Sequence, residues 1–327
     1  MLSEGEEADM TTTSQALGWA GSARLVTVMA VLFATPTEAP AQPPPRRTVP
    51  DVSDLKVAET WRFEYDVATD GAFVPDIADY KGKLFMYLAL GGDRGVVSFS
   101  SLDGKTWTQD AGVRVAEGKG LSYGHPYTAV GPDSKLYLFV QTATQGTRGP
   151  YHVSVCESTD GIHFSQPRAI IRGEDFGGNH AAHGRILRLK DGRYLLAVSA
   201  GYDPPDPRSW AGAGSQLAYS DDLKQWEFAP TFFAGCHDPT FATSRGTVRL
   251  YCQFQGRTLL RFDSPDGYRW DSEHPVGRVE FLDWNGDLID RVDDIDAHTF
   301  SDGTTRMFIS VHINRQTGVW STVEQSR

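Results

Sequence analysis

A seven-residue turn, Ser-x-Asp-Gly-x-x-Trp/Phe, occurs four times in this chain, at Ser101–Trp107, Ser158–Phe164, Ser220–Trp226 and Ser264–Trp270. The third copy carries Leu223 where the others carry Gly. A turn that returns once per unit of about 40–60 residues marks a repeat architecture, because one such unit cannot bury its apolar faces alone. Apolar runs recur with the turns. Lys83–Ala89, Lys135–Gln141, Arg193–Ser199, Thr247–Gln253 and Thr305–Val311 begin 52, 58, 54 and 58 residues apart. They are almost continuously apolar, as strands covered on both faces are.

Each run follows a short strand and a Gly- or Asp-bearing turn, and each is followed by a third strand. The Ser-x-Asp turn then leads to a fourth. No stretch of helical periodicity competes with this pattern. Four antiparallel strands, repeated five times, predict an all-β, five-bladed propeller, in which radial stacking buries both faces of every sheet. The fifth unit has three strands and no Ser-x-Asp turn before the sequence stops at Arg327. An orphan strand, Thr60–Tyr65, precedes the first unit. It is expected to complete the fifth blade and close the ring.

The N-terminal segment reads differently. Leu25–Ala34 is an apolar run of ten residues behind Arg24, with Ala39-Pro40-Ala41 as a small-x-small cleavage site. These features predict a signal peptide over 1–41, a Pro-rich linker over 42–51 and a single propeller domain over 52–327. The expected location is extracellular or periplasmic, with no membrane insertion, since ten apolar residues are too few to span a bilayer. A net charge of −11 without a basic stretch argues against nucleic acid as a partner. Of three cysteines, Cys236 and Cys252 flank the Thr243–Gly246 turn and could pair across a hairpin or remain buried thiols.

The repeated aspartates Asp103, Asp160, Asp222 and Asp266 are expected to brace their own turns, with the following aromatic packing between blades. Chemistry is expected elsewhere, where first strands begin at the mouth of the central channel. Those positions read Asp76, His125, His183, Asp238 and Asp296, with His180, His237, Asp294 and His298 as neighbours. Second-strand ends should reach the same mouth and offer Asp93, Arg94, Gln141, Tyr202, Asp203, Gln253, His312 and Arg315. Carboxylates, imidazoles and an Arg around one concavity suit a polyhydroxylated or anionic ligand. Trp210, Trp284 and Tyr202 lie in longer loops, where they could stack on sugar rings or pack the loops themselves.

This blade pattern resembles the five-bladed propeller glycosidases, the superfamily of arabinanases, xylosidases and fructosidases. It is also similar to secreted sialidase-like repeat proteins, whose Asp-boxes carry an extra residue between Asp and Gly. The resemblance covers nearly all of Thr60–Val323. It implies a carbohydrate ligand and a first-blade Asp as base or nucleophile, which Asp76 matches. Where such enzymes carry a second-blade Asp that tunes pKa, this chain has His125. Where they carry a third-blade Glu acid before Gly, it has His183-Gly184. Without that Glu the acid would be His183, His180 or a carboxylate from another blade such as Asp238; the implied catalytic set takes Asp76 as base, His183 as acid, and Asp238 and His125 as setting pKa. Arg94, Tyr202, Gln253, Asp296 and His312 would bind substrate. A His acid is chemically feasible because its pKa lies near neutrality.

Two other readings stay open. One is a non-catalytic glycan-binding propeller, although mouth residues that differ from blade to blade favour one asymmetric site over repeated pockets. The other is a metal-dependent enzyme of another class. No cofactor is required by the first reading, but the histidines could hold one divalent ion, calcium or zinc, in the channel. His298 matches a position where the resembled enzymes hold a central metal or water, and His180 and His237 complete that candidate set.

Overall fold

The computed structural model describes residues 48–327, apart from 68–70, 92, 148, 177, 179, 202–212, 256–257, 290–291, 314–315 and 326–327. The chain divides into Met1–Pro43 and Pro44–Arg327, and everything described lies in the second unit. The signal-peptide expectation, and those for Tyr202, Asp203, Trp210 and Arg315, fall outside the described residues. No helix among the described residues is long and apolar enough to cross a membrane.

Strands dominate the described chain, and the one helical element among the described residues is a short 3-10 turn at Gly173–Phe176. Sheet 1 comprises β2 (Phe73–Tyr80), β3 (Lys83–Ala89), β4 (Gly95–Ser101) and β5 (Thr108–Gln109), with β6 (Val115–Ala116) also paired to β4. Sheet 2 comprises β7 (Leu121–Val130), β8 (Leu136–Thr144), β9 (His152–Ser158) and β10 (Arg168–Ile171). Sheet 3 comprises β11 (His180–Arg188), β12 (Tyr194–Gly201), β13 (Ala213–Ser220) and β14 (Glu227–Ala234). Units 4 and 5 share one eight-stranded sheet. Unit 4 supplies β15 (Cys236–Ser244), β16 (Thr247–Phe254), β17 (Thr258–Ser264) and β18 (Gly277–Leu282). Unit 5 supplies β19 (Asp293–Thr299), β20 (Thr305–Ile313) and β21 (Gln316–Glu324).

The orphan strand, β1 (Val57–Val67), lies antiparallel beside β21, in the fourth-strand place of unit 5. It also pairs in parallel with β18, which joins units 4 and 5. The sequence pattern did not signal that second pairing. A buried carboxylate fastens it. Glu59, 3% exposed, accepts hydrogen bonds from Trp61 Nε1 (3.1 Å), Tyr251 Oη (2.9 Å), Arg249 Nη1 (2.5 Å) and Arg261 Nη1 (2.8 Å). Such a charge is tolerable only because every partner is present.

The first strand of each unit packs on the next, from β2 through β7, β11 and β15 to β19, and β19 packs on β2. The apolar core divides the same way. One cluster lies between each successive pair of units, and another joins Phe308 and Val319 of unit 5 to Ile77, Met86 and Phe99 of unit 1.

The Ser-x-Asp turns are structural. In the first, Ser101 Oγ accepts from Gly104 N (2.9 Å), and Asp103 Oδ1 accepts from Lys105 N (2.8 Å) and Thr106 N (2.7 Å). The other three repeat these bonds. The closing aromatic of each packs on the preceding unit: Phe164 on Tyr87, Trp226 on Phe139, and Trp270 on Phe233. Trp107 of unit 1 packs on Phe308 of unit 5. Cys236 and Cys252 form a disulfide between β15 and β16, with Cα atoms 5.4 Å apart, while Cys156 is a buried thiol.

Pairing registers correct one sequence expectation. Every first strand carries a one-residue bulge near its start, at 74–75, 125–126, 183, 238–239 and 294. The bulge residues are Val74, His125, His183, Asp238 and Asp294, and all five adopt left-handed φ, at 60°, 45°, 32°, 48° and 39°. Asp76 and Asp296 are therefore not equivalent to His125, His183 and Asp238. Each lies two residues past its bulge, level with Tyr127, Arg185 and Thr240, one step deeper along the strand.

Candidate functional site

The bulges explain why polar side chains gather here. An extra residue interrupts the ladder and re-aims its side chain. Left-handed φ in a non-glycine residue is costly and is retained where surrounding structure enforces it. Neighbouring units do enforce it: Ser310 Oγ accepts from Val74 N at 2.8 Å, and Ser199 Oγ accepts from Asp238 N at 3.1 Å.

Four bulge residues from four units form one cluster. The rings of His125 and His183 lie 3.5 Å apart, centroid to centroid. His183 Nδ1 is 2.5 Å from Asp238 Oδ1 and 3.7 Å from Asp294 Oδ1. His125 Nδ1 is also 3.7 Å from Asp294 Oδ1, and its Nε2 is 3.9 Å from Asp93 Oδ1. Asp93 reaches in from the β3–β4 turn over Gly124, where a Cβ would stand 1.9 Å from its carboxylate oxygen. Gln141 Nε2 donates to Asp93 Oδ2 at 3.4 Å. His180 and His237 flank the cluster at the starts of β11 and β15.

The electrostatics separate these groups. Burial lowers the pKa of His183, but Asp238 and Asp294 reverse that and push it up to about 10. Burial, with His183 beside it, holds His125 well below the ordinary imidazole value. His180 and His237 are pushed down to about 4, mainly by burial. Burial opposes ionisation of Asp238, yet His183 holds its carboxyl well below the usual range. Asp93 and Asp294 shift the other way, raised chiefly by burial. Two imidazoles this close do not both carry charge, so the charge resides on His183.

Beneath lies a second layer. Arg185, 6% exposed, places Nε 3.2 Å from Asp296 Oδ1 and 3.7 Å from Asp76 Oδ1, and its Nη2 donates to Pro75 O at 2.6 Å. Thr128 Oγ1 donates to Asp76 Oδ2 at 2.5 Å, and Asp296 Oδ2 accepts from Ile77 N at 2.8 Å. Burial and then Asp296 raise the pKa of Asp76 to about 8. Asp76, Arg185, Asp296 and His298 line a cavity of about 210 Å³ together with Thr128, Thr240 and Phe241.

The expected residues thus split. His125, His183 and Asp238 meet, with His180 and His237 at their side, while Asp76, Asp296 and His298 belong to the layer below. Gln253 is buried and donates to Val292 O at 3.0 Å. Arg94 is exposed and turns its Nε onto Gly91 O. Trp284 is exposed and packs on Trp320, with ring centroids 5.0 Å apart. The side chain of His312 lies outside the described residues. Arg185 was missed altogether, and Asp294 appeared only as a neighbour. A local signal existed, because Val74-Pro75, His125-Pro126 and Asp238-Pro239 place Pro directly after three of the five bulge residues.

The family model described as "BNR repeat-like domain" matches residues 91–322. The search of curated proteins finds no match. Among solved structures, the fold is similar to a family 117 glycoside hydrolase produced by the marine bacterium Zobellia galactanivorans, at TM-score 0.61 and 17% identity, covering 83% of this chain and 91% of that one. It is also similar to a thermostable family-43 glycoside hydrolase, at TM-score 0.57 and 12% identity, covering 78% and 88%. An exo-1,5-alpha-L-arabinanase from a bovine ruminal metagenomic library aligns at TM-score 0.54 and 17% identity, covering 80% and 95%. At these identities the likeness is one of fold.

Proposed function

The chain belongs to the BNR repeat-like domain family, and from that premise we propose that it is a secreted, glycosidase-like enzyme. Its five units form a propeller, and it acts on a polysaccharide or oligosaccharide at the mouth of the channel. The cyclic packing of first strands, with a core cluster between units 5 and 1, supports five blades in a closed ring. The apolar run Leu25–Ala34 supports export. Fold alone carries no activity. The observation that carries the reading is the bulge cluster, where His125, His183, Asp238 and Asp294 meet from four units.

Cleaving a glycosidic bond requires positive charge or a proton at the departing oxygen and a carboxylate facing the anomeric carbon or a water. In the proposed roles, Asp238 is the ionised carboxylate and the His125–His183 pair holds the positive centre. Asp93 and Asp294 set the charge around them, and His180 and His237 contact hydroxyls as neutral imidazoles. Asp76, 4% exposed and bonded to Thr128, is placed as a positioning residue that holds the floor through Arg185.

A panel of aryl glycosides and polysaccharides, assayed with the full chain, tests this. Hydrolysis of at least one substrate, lost in Asp238→Asn with the fold retained, is expected. Glycan binding without hydrolysis across the panel would establish the non-catalytic reading instead.

A further inference from the structure

We propose that the positive centre is a divalent cation of the zinc class, held by His125, His183 and Asp294. The cation's part in the reaction rests on the glycosidase reading, whereas its binding does not.

The donor set is already convergent. One ligand atom from each of the three residues lies within 4.8 Å of the other two. His125 Nδ1 is buried without a hydrogen-bond partner, and it stands 3.7 Å from the Asp294 carboxylate. An unpaired buried nitrogen destabilises the fold, and a bound ion removes that cost. The far side of the same ring faces Asp93 Oδ1 at 3.9 Å, a charge contact outside hydrogen-bond reach. Asp238, 2.5 Å from His183, gives the second ring its own carboxylate. All three ligands sit at left-handed bulge positions, where backbone strain fixes the direction of the side chain.

Two imidazoles and one carboxylate suit zinc or a neighbouring transition ion, whereas calcium prefers six to eight oxygens. Three protein ligands leave a coordination position open for a water or sugar oxygen. The sequence-based metal set is thereby redrawn. His298 lines the lower cavity, and His180 and His237 flank the three ligands without joining them.

The test uses the full chain, purified without an affinity tag, stripped with chelator and titrated with zinc. One equivalent should bind, and X-ray absorption of the loaded wild type should show two imidazole ligands. His125→Gln and Asp294→Asn should each weaken binding at least about tenfold, while His274→Gln, on the exposed surface, should leave it unchanged. No stoichiometric binding, a different imidazole count, or unaltered affinity in both variants overturns the site. The wild-type spectrum decides the matter even if a variant fails to fold. Hydrolysis undiminished by stripping overturns the cation's part in the reaction and leaves the glycosidase reading standing. Stoichiometric zinc with no hydrolysis in any state overturns that reading and leaves the site.

Discussion

The Ser-x-Asp turns and the first-strand bulges lie at opposite ends of the sheets, since Ser101 pairs with Leu84 at one end and Phe73 with Ala89 at the other. Both recur with the repeat, and both force a residue into left-handed φ. They differ in what their polar groups face. In the turns, each carboxylate accepts bonds from its own backbone, and the four copies are nearly identical. In the bulges the residues are Val, His, His, Asp and Asp, and their partners come from other units. Repetition with identity builds the fold here, and repetition with variation builds a site.

The sharpest attempt to break this contrast is to neutralise one carboxylate from the bulge layer. Asp238→Asn should lower hydrolysis about 10²–10⁴-fold, or about 3–5 kcal/mol of transition-state stabilisation, in a chain that stays folded but melts lower because His183 loses its carboxylate. A variant that keeps full activity would remove Asp238 from the chemistry. Arg185→Met attacks the layer below. It leaves Asp76 and Asp296 facing each other without their cation, and stability should fall by about 3–5 kcal/mol in denaturant titration. Adding Asp76→Asn should recover part of that loss. A simple sum of the two losses would show that the groups are uncoupled.

These two layers also show what the sequence could reveal. The recurring strand units and the place of the orphan strand beside β21 followed from apolar runs and turns, which are local patterns with a fixed period. The bulge is local too, but residues two apart point to the same face of a strand, so the sequence pattern sets Asp76 and Asp296 level with His125, when Val74 and Asp294 hold those places. The Pro after Val74, His125 and Asp238 marked the step. Arg185 lay beyond reach for a different reason. It reads as one basic residue in an apolar strand, and only the convergence of three strands gives it two buried carboxylates. The parallel pairing of β1 with β18 is equally non-local, because Glu59 meets Arg249 and Arg261 across roughly two hundred residues of chain.

Titration separates the layers more gently. Asp76 has its pKa raised to about 8 by burial and by Asp296, against about 3.9 for an unfolded Asp. Between those values the folded state binds the extra proton, so stability should decline as pH rises from about 4 to about 8 and level off above. Asp76→Asn should flatten that part of the profile. An unchanged slope would place the titration on another group. At the turns, Ser158→Ala should cost about 1–2 kcal/mol, because the buried Oγ accepts from Asp160 N and Gly161 N. Hydrolysis should be unaffected, and any loss of activity would tie the two ends of the sheet together.

The smallest effect tests the one turn that departs from its siblings. Leu223 adopts φ of 64° where Gly104, Gly161 and Gly267 stand in the other copies. Left-handed φ costs a leucine about 1–2 kcal/mol. Its side chain is fully buried against the core between units 2 and 3, which is worth about 1.5–3 kcal/mol. Burial therefore outweighs strain, and leucine is tolerated. Leu223→Ala loses the burial and keeps the strain, whereas Leu223→Gly loses the burial and relieves it. Alanine should thus be the more destabilising replacement, by about 1 kcal/mol, reversing the order found at ordinary φ. Thermal melts of the two variants decide it. If glycine proves the worse, the backbone at Leu223 is not held in the shape that the other three turns require.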